Sequence, residues 1–250
     1  MKKIALPAVA FVAFLIVWEL LIVIFKVDSL ILPSPEAVLD AFFKNWEILG
    51  KHAFITLSES LAGFMIGGVV AFSLAILFFA SKNLETAIYP YAIVLKSIPL
   101  IALAPIISIW FGTGITSKVV LAAIISFFPI LVTTLQGLKS YDKNEMDIML
   151  SFSASRSDIL RKMVLPNAMP SIFSGLKVSS TFSVIGAIVA EFTGADKGIG
   201  YYIKSASYYL NSPEMFAGVF VAGVAGLLFF GLVVLVEKKV VFWRVSTHSV

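Results

Sequence analysis

The sequence predicts an all-α integral membrane protein with about six transmembrane helices. Three observations carry that reading. Hydrophobic residues make up 59% of the 250, and the mean hydropathy of +0.98 lies far outside the range of soluble domains. Apolar stretches long enough to cross a bilayer recur along the chain. Charged residues, 14% of the total, gather between those stretches.

The first span covers residues 4–25 and is led by Lys2 and Lys3. It is longer than a signal-peptide core and no small-residue cleavage site follows, so a retained helix is expected. Glu19 lies inside it; a carboxyl there either pairs with a neighbouring helix near the interface or contacts solute or ion. Residues 26–55 are polar. Within them Ser34 and Pro35 suit an N-cap and a first helical position, opening a short amphipathic surface helix.

The second span is expected over 57–80, with Gly63 and Gly67 spaced so that another backbone can approach closely. Glu59 sits near its start. The third, over 86–110, carries Pro90, Pro99 and Pro105, which kink a helix and free carbonyls. Lys96 lies between the first two prolines and either snorkels to the surface or faces a polar cavity. Gly112-Thr113-Gly114 makes a tight hairpin, and the fourth span follows over 117–138.

The fifth span, 171–192, is rich in small and hydroxyl residues, among them Ser179, Ser180, Ser183 and Gly186. Such a stripe serves equally as a packing seam or as the lining of a translocation path, which with Lys96 makes these five the candidate path residues. Residues 194–212 are polar, with a tyrosine cluster suited to a membrane interface. The sixth span, 213–236, repeats a small-residue pair at Ala222 and Gly226.

Six spans put both termini on one side. That side holds Lys2, Lys3, Lys82, Lys139, Lys143, Arg156, Arg161, Lys162, Lys238, Lys239 and Arg244. The other holds Lys26, Lys44, Lys51, Lys118, Lys197 and Lys204. The excess places both termini in the cytoplasm, together with the polar segment 142–170.

That segment is amphipathic rather than merely wet. Met146, Met149, Leu150 and Phe152 give an apolar face at near-helical spacing, and Ser155 to Asp158 has the form of a capping box. A second short helix over 156–164 is expected to end at Pro166. A helix pair of this kind either lays side chains into a partner's groove or floats on lipid headgroups.

The segment resembles the signature loop of the inner-membrane permease subunits of ATP-binding-cassette (ABC) importers, in which Glu-Ala-Ala, three residues, Gly, nine residues, Ile, any residue and Leu-Pro follow in order. Here Asp147 stands for the Glu and Ile148-Met149 for the alanines, Ser153 for the Gly, and Met163, Val164 and Leu165-Pro166 complete the pattern. Ser153 in place of Gly weakens the expectation of a left-handed turn. Leu32-Pro33-Ser34-Pro35, Ser97-Ile98-Pro99-Leu100, Trp110-Phe111-Gly112-Thr113-Gly114, Ala190-Glu191-Phe192 and Gly198-Ile199-Gly200-Tyr201 resemble the nitrate, sulfonate and taurine branch of these permeases.

The resemblance implies the type I importer fold and one permease domain over residues 1–250: an N-terminal helix and external segment (1–55), core helices (56–236) with a coupling loop at 140–170, and a cytoplasmic tail (237–250). It implies a multi-pass place in a bacterial or archaeal inner membrane, and as partners two ABC ATPase subunits, an extracytoplasmic solute-binding protein and a second permease copy. ATP and Mg would be used by the ATPases; this chain would bind no cofactor. The docking joint would run from Asp147, Ile148 and Met149 through Ser153, Ala154, Ser155 and Asp158, with Arg161, Lys162, Leu165 and Pro166 flanking. The solute would be a small anion such as a sulfonate, taurine or nitrate, or a vitamin precursor; Lys96, Lys177 and the fifth-span hydroxyls could favour an anion.

Other function classes lack residues. Cysteine is absent, and the two histidines, His52 and His248, stand near opposite ends of the chain, so neither a thiolate nucleophile nor a metal cluster is in sight. No Gly-rich phosphate loop ending in Lys-Ser/Thr is present. An ion-coupled secondary transporter is the nearest alternative, but it needs mid-membrane carboxylates, for which only Glu19 and Glu191 offer themselves. No nucleic-acid partner is implied by a net charge of +4.

Overall fold

The computed structural model describes residues 2–243, with the side chains of residues 2–5, 95, 96 and 100 outside that description. Arg244 and His248 lie outside the described residues. The described chain is helical: α1 (Lys2–Phe25), α2 (Pro35–Lys44), α3 (Trp46–Ala80), α4 (Lys82–Ser97), α5 (Leu100–Phe111), α6 (Ile115–Lys139), α7 (Lys143–Ser151), α8 (Arg156–Ile159), α9 (Leu165–Gly194), α10 (Ile199–Tyr208) and α11 (Ser212–Val240). Among the described residues, α1, α3, α6, α11 and the continuous run Arg156–Gly194 are long and apolar enough to cross a membrane.

The expected third span is not one helix. α4 stops at Ser97, and Pro99 (φ −58°, ψ 115°) opens α5. Pro99 disfavours the helical conformation at Ile98, so the chain breaks there rather than kinking. By contrast Pro90 and Pro105 stay inside helices. Five long spans and this broken pair therefore stand where six continuous ones were expected.

Pro166 does not stop a helix either. The chain passes from α8 through a π-turn, Leu160–Val164, straight into α9, where Pro166 sits in the first turn. There the missing N–H removes little, because the widened turn already breaks the regular hydrogen-bond ladder.

α3, α6 and α9 form the centre. α3 meets α6 through the expected glycine pair: a Cβ at Gly63 would lie 2.5 Å from Ala122 Cβ, and one at Gly67 would overlap the Ala123 carbonyl oxygen. No side chain larger than hydrogen fits that crossing. The second small-residue pair meets nothing comparable, since Gly226 has open space around it. The main apolar core, including Phe78, Leu131, Leu138, Val164 and Phe173, lies toward the α7–α8 end. A smaller cluster of Leu49, Ile199, Tyr202 and Ala217 holds α2, α3, α10 and α11 together at the opposite end.

α1 stands apart, its span wholly unburied, with Trp18 against Phe216 as its ring contact. An apolar face of that extent is stable in lipid and not in water. α2 begins as the sequence indicates: the Ser34 hydroxyl accepts the Ala37 N–H at 3.2 Å, and Pro35 occupies the first helical position.

Candidate functional site

The helix pair formed by α7 and α8 is held at both of its joints. Asp142 caps α7, its carboxylate accepting the Asn144 N–H at 2.7 Å. At the other end the Ser153 N–H donates to the Leu150 carbonyl at 2.9 Å and the Ala154 N–H to that of Met149 at 3.1 Å. These two bonds make a Schellman motif. Ser153 takes the left-handed conformation it requires, at φ 55°. The left-handed turn is thus kept with serine in the position where it was less expected.

The capping box also forms. Ser155 Oγ accepts the Asp158 N–H at 3.1 Å and donates to the Asp158 carboxylate at 2.5 Å. Lys162 closes the set with an ion pair to Asp158 at 2.6 Å, one turn along. Both partners are substantially exposed, so the pair orients the turn and adds little stability.

The residues of this segment divide by direction. Met146, Met149, Ala154 and Leu165 pack against the core, and Ile159, Met163 and Val164 are buried in it. Ile148, Leu150 and Phe152 project outward, at 57%, 55% and 81% exposure. Asp147, Ser153, Ser155, Arg161 and Lys162 are exposed beside them. The single apolar face expected from Met146, Met149, Leu150 and Phe152 is therefore split, because the helix needs one stripe for the bundle beneath it. Leu165 packs against the core, and Pro166 is half-buried in the first turn of α9. Further ties bind the same end: Lys139 to Glu85 at 2.6 Å, and the Asn167 amide to Glu145 at 3.1 Å.

The candidate path residues do not line an open path within this chain. Ser179, Ser180 and Ser183 are fully buried, Gly186 lies against the α6 backbone at Ala122, and Ser179 donates to the Ser126 carbonyl at 2.7 Å. They form the α6–α9 packing seam, which small residues permit and hydrogen bonds secure. The side chain of Lys96 lies outside the described residues. Lys177 donates to both oxygens of Glu237, at 3.1 and 2.9 Å, so its charge is spent on that carboxylate. Glu19 is exposed on α1 and finds no partner in the described chain.

A cleft of about 280 Å³ opens between α3, α4, α6 and α9. Phe127, Phe128 and Phe182 supply its rings, Gly67 and Pro129 part of its floor, and no charged side chain lines it among the described residues.

A polar network at the opposite end of the bundle was not legible beforehand. Glu191 on α9 is fully buried; Oε1 accepts the Thr56 hydroxyl at 2.7 Å and Oε2 the Gly200 N–H at 2.5 Å. Thr56 Oγ1 accepts the Ile199 N–H at 2.8 Å, and His52 Nδ1 accepts that of Gly198 at 3.0 Å. A Cβ at Gly198, where φ is 101°, would overlap the Glu191 carboxyl. Only glycine allows the carboxyl to reach the turn. The signal was the pairing of Ala190-Glu191-Phe192 with the two glycines that follow, a buried acceptor and the bare amides that satisfy it. Glu59 on α3 and Lys118 on α6 are buried beside it, at 5% and 3% exposure.

Long apolar helices around a close-packed three-helix centre, with a firmly capped helix–turn–helix at one end, make an all-helical integral membrane protein. The chain belongs to the family of binding-protein-dependent transport system inner membrane components, whose model matches residues 61–242. It is 30% identical over 239 residues to the formylaminopyrimidine transport permease protein ThiX of Halalkalibacterium halodurans, covering 95% of each chain. It is 29% identical to the putative aliphatic sulfonates transport permease protein SsuC of Bacillus subtilis, covering 98% of this chain and 88% of that one. Its fold is that of the MetNI methionine ABC transporter in its inward-facing conformation, with a TM-score of 0.68 at 17% identity over 78% of this chain and 96% of that one. It is a multi-pass inner-membrane permease subunit of an ABC importer, and ATP is hydrolysed by its partner ATPases. Family membership sets aside the ion-coupled secondary transporter.

Proposed function

We propose that the exposed face of α7 and α8 is the ATPase-docking joint, and that the chain works as one of two identical permease copies fed by an external binding protein. One observation carries this reading. Three large apolar side chains, Ile148, Leu150 and Phe152, stand outward on a segment that a Schellman turn, a capping box and an inward apolar stripe all hold in place. Outward apolar residues at a water-facing end fit a partner's groove. The excess of basic residues at that end supports a cytoplasmic position, from which ATPase movement would reach α9 through the continuous helical run from Arg156. A coupling free energy between two sites needs such a held joint.

For the solute we favour a vitamin precursor of the pyrimidine type over an oxyanion. The cleft is lined by phenylalanine rings and carries no described charge, and Lys177, the described lysine that could have met an anion, is already paired. Planar neutral rings suit aromatic walls.

The test is reconstitution with an ABC ATPase and a solute-binding protein from the same organism. Phe152→Glu is expected to abolish co-purification of the ATPase while leaving the permease folded; an intact complex with unchanged solute-stimulated ATPase sinks the docking reading. Uptake of formylaminopyrimidine with no uptake of taurine supports the solute reading, and the reverse overturns it.

A further inference from the structure

A recess of about 270 Å³ opens where α10 meets the start of α11, at the end of the bundle opposite α7 and α8. Tyr201, Tyr202, Ser205 and Tyr209 line it from α10 and its C-cap, Asn211 from the turn, and Glu214 from the first turn of α11. The tyrosines and Ser205 follow the helical repeat, so one face of a short helix supplies three rings to one recess. Neither the docking face nor the solute cleft uses these residues.

Tyr202 is fixed in place. It is 8% exposed, and a Cβ at Gly218 on α11 would lie 3.1 Å from its ring. Its hydroxyl is buried and makes no hydrogen bond, whereas a buried tyrosine hydroxyl ordinarily has a partner. Burial first, and the Glu214 charge second, push its pKa up. The group therefore stays a hydroxyl, with lone pairs open to an N–H donor.

Glu214 is the charge of the recess. It is half-buried, the Asn45 amide donates to it at 3.3 Å, and it stands in the first turn of α11. An amide and a helix N-terminus offset a carboxylate only in part. No described lysine or arginine stands within ion-pair reach of it. Lys204, the cation of α10, is exposed and does not line the recess. An anionic ligand would meet this carboxylate unfavourably, and a neutral one would leave its charge as it is. A cation bearing N–H groups satisfies all three features: it pairs with the carboxylate, donates to the hydroxyl and is attracted by tyrosine rings.

We propose that this recess binds a primary ammonium group. A quaternary ammonium would meet the charge and the rings but has no N–H for Tyr202. The recess lies where α11 enters its span, beside Tyr208 and Leu210 at 82% and 68% exposure, the level at which tyrosines sit among lipid headgroups. The aminoethyl headgroup of a phospholipid reaches it from the bilayer, and a free amine reaches it from water.

The test places the full chain in nanodiscs of phosphatidylethanolamine, phosphatidylcholine and phosphatidylglycerol in equal parts and reads the retained lipids by native mass spectrometry. Phosphatidylethanolamine is expected to be retained about tenfold over phosphatidylglycerol. Over phosphatidylcholine, whose nitrogen carries no hydrogen, the expected factor is about fivefold. Tyr202→Phe should erase the second preference and Glu214→Gln the first. Thermal unfolding in nanodiscs free of phosphatidylethanolamine gives a second reading: ethanolamine should raise the melting temperature more than tetramethylammonium does, and not in Tyr202→Phe. Lipid retention identifies a headgroup as the source, and stabilisation by ethanolamine alone identifies a free amine. Absence of both effects overturns the proposal, and so does either one persisting undiminished in Tyr202→Phe. That variant loses only a hydroxyl without a partner and should fold as well as the unsubstituted protein, so the outcome stands even where Glu214→Gln misfolds.

Discussion

Lys177 and Glu237 join α9 to the last turns of α11 through a two-pronged ion pair, at 3.1 and 2.9 Å. The lysine is 25% exposed and the glutamate 18%. A pair this sheltered is costly to halve, because the surviving charge is left without a partner away from water. Lys177→Met alone is expected to cost about 1–3 kcal/mol, less than a fully buried pair would because water reaches both groups. Lys177→Met with Glu237→Leu should recover most of that loss. A double-mutant cycle on unfolding in detergent measures the difference.

The α3–α6 crossing allows a sharper comparison of glycines. Gly67→Val must push a side chain into the Ala123 carbonyl, which already occupies the place its Cβ would take. Overpacking of that kind costs roughly 1–3 kcal/mol or more. Gly226→Val enters open space and is expected to leave the stability of the single chain unchanged. Unfolding of the two variants side by side checks this, and equal losses would mean that the crossing tolerates expansion.

Much of this architecture was legible because local chemistry dictated it. The spans follow from apolar runs, the Gly63–Gly67 crossing from spacing, and the Ser34 and Ser155 caps from residue type. The break at Ile98 was half legible: the proline was visible, but whether it kinks or ends a helix depends on what packs around it. The split of α7 into inward Met149 and outward Ile148 and Phe152 was hidden, since periodicity marks apolar positions without saying which side the bundle occupies. Glu59, Lys118 and Glu191 were the least legible. They come from three helices far apart in sequence, and no local pattern announces a contact that only the α3–α6–α9 packing creates.

Ser153 tests the docking turn from within. A side chain in the left-handed region costs about 1–2 kcal/mol, part of which serine recovers and part of which glycine gives back as entropy. Ser153→Gly is therefore expected to steady the Schellman turn by about 0.5–1 kcal/mol. Slower hydrogen exchange at the Ser153 and Ala154 amides would report it. Ser153→Val should do the opposite, because a β-branched residue resists that conformation. Equal exchange in all three would mean that the inward packing of Met149 and Ala154, not the backbone, holds the turn.

The two sides of α7 make the last prediction. Met149 packs against the core and Ile148 stands 57% exposed one residue away, so truncating each should fail in a different measurement. Met149→Ala removes packed surface and is expected to lower the stability of the loop by roughly 1–3 kcal/mol, with ATPase binding weakened only through the disordered turn. Ile148→Ala leaves the fold intact and should weaken ATPase association by about tenfold, near 1.4 kcal/mol, as expected for an apolar anchor entering a groove. Titration of the ATPase onto nanodisc-held permease, alongside hydrogen exchange of residues 142–158, separates the two effects. If Ile148→Ala binds normally while Met149→Ala does not, the loop contributes shape rather than an apolar face, and the contacts pass to Asp147, Arg161 and the other charges beside it.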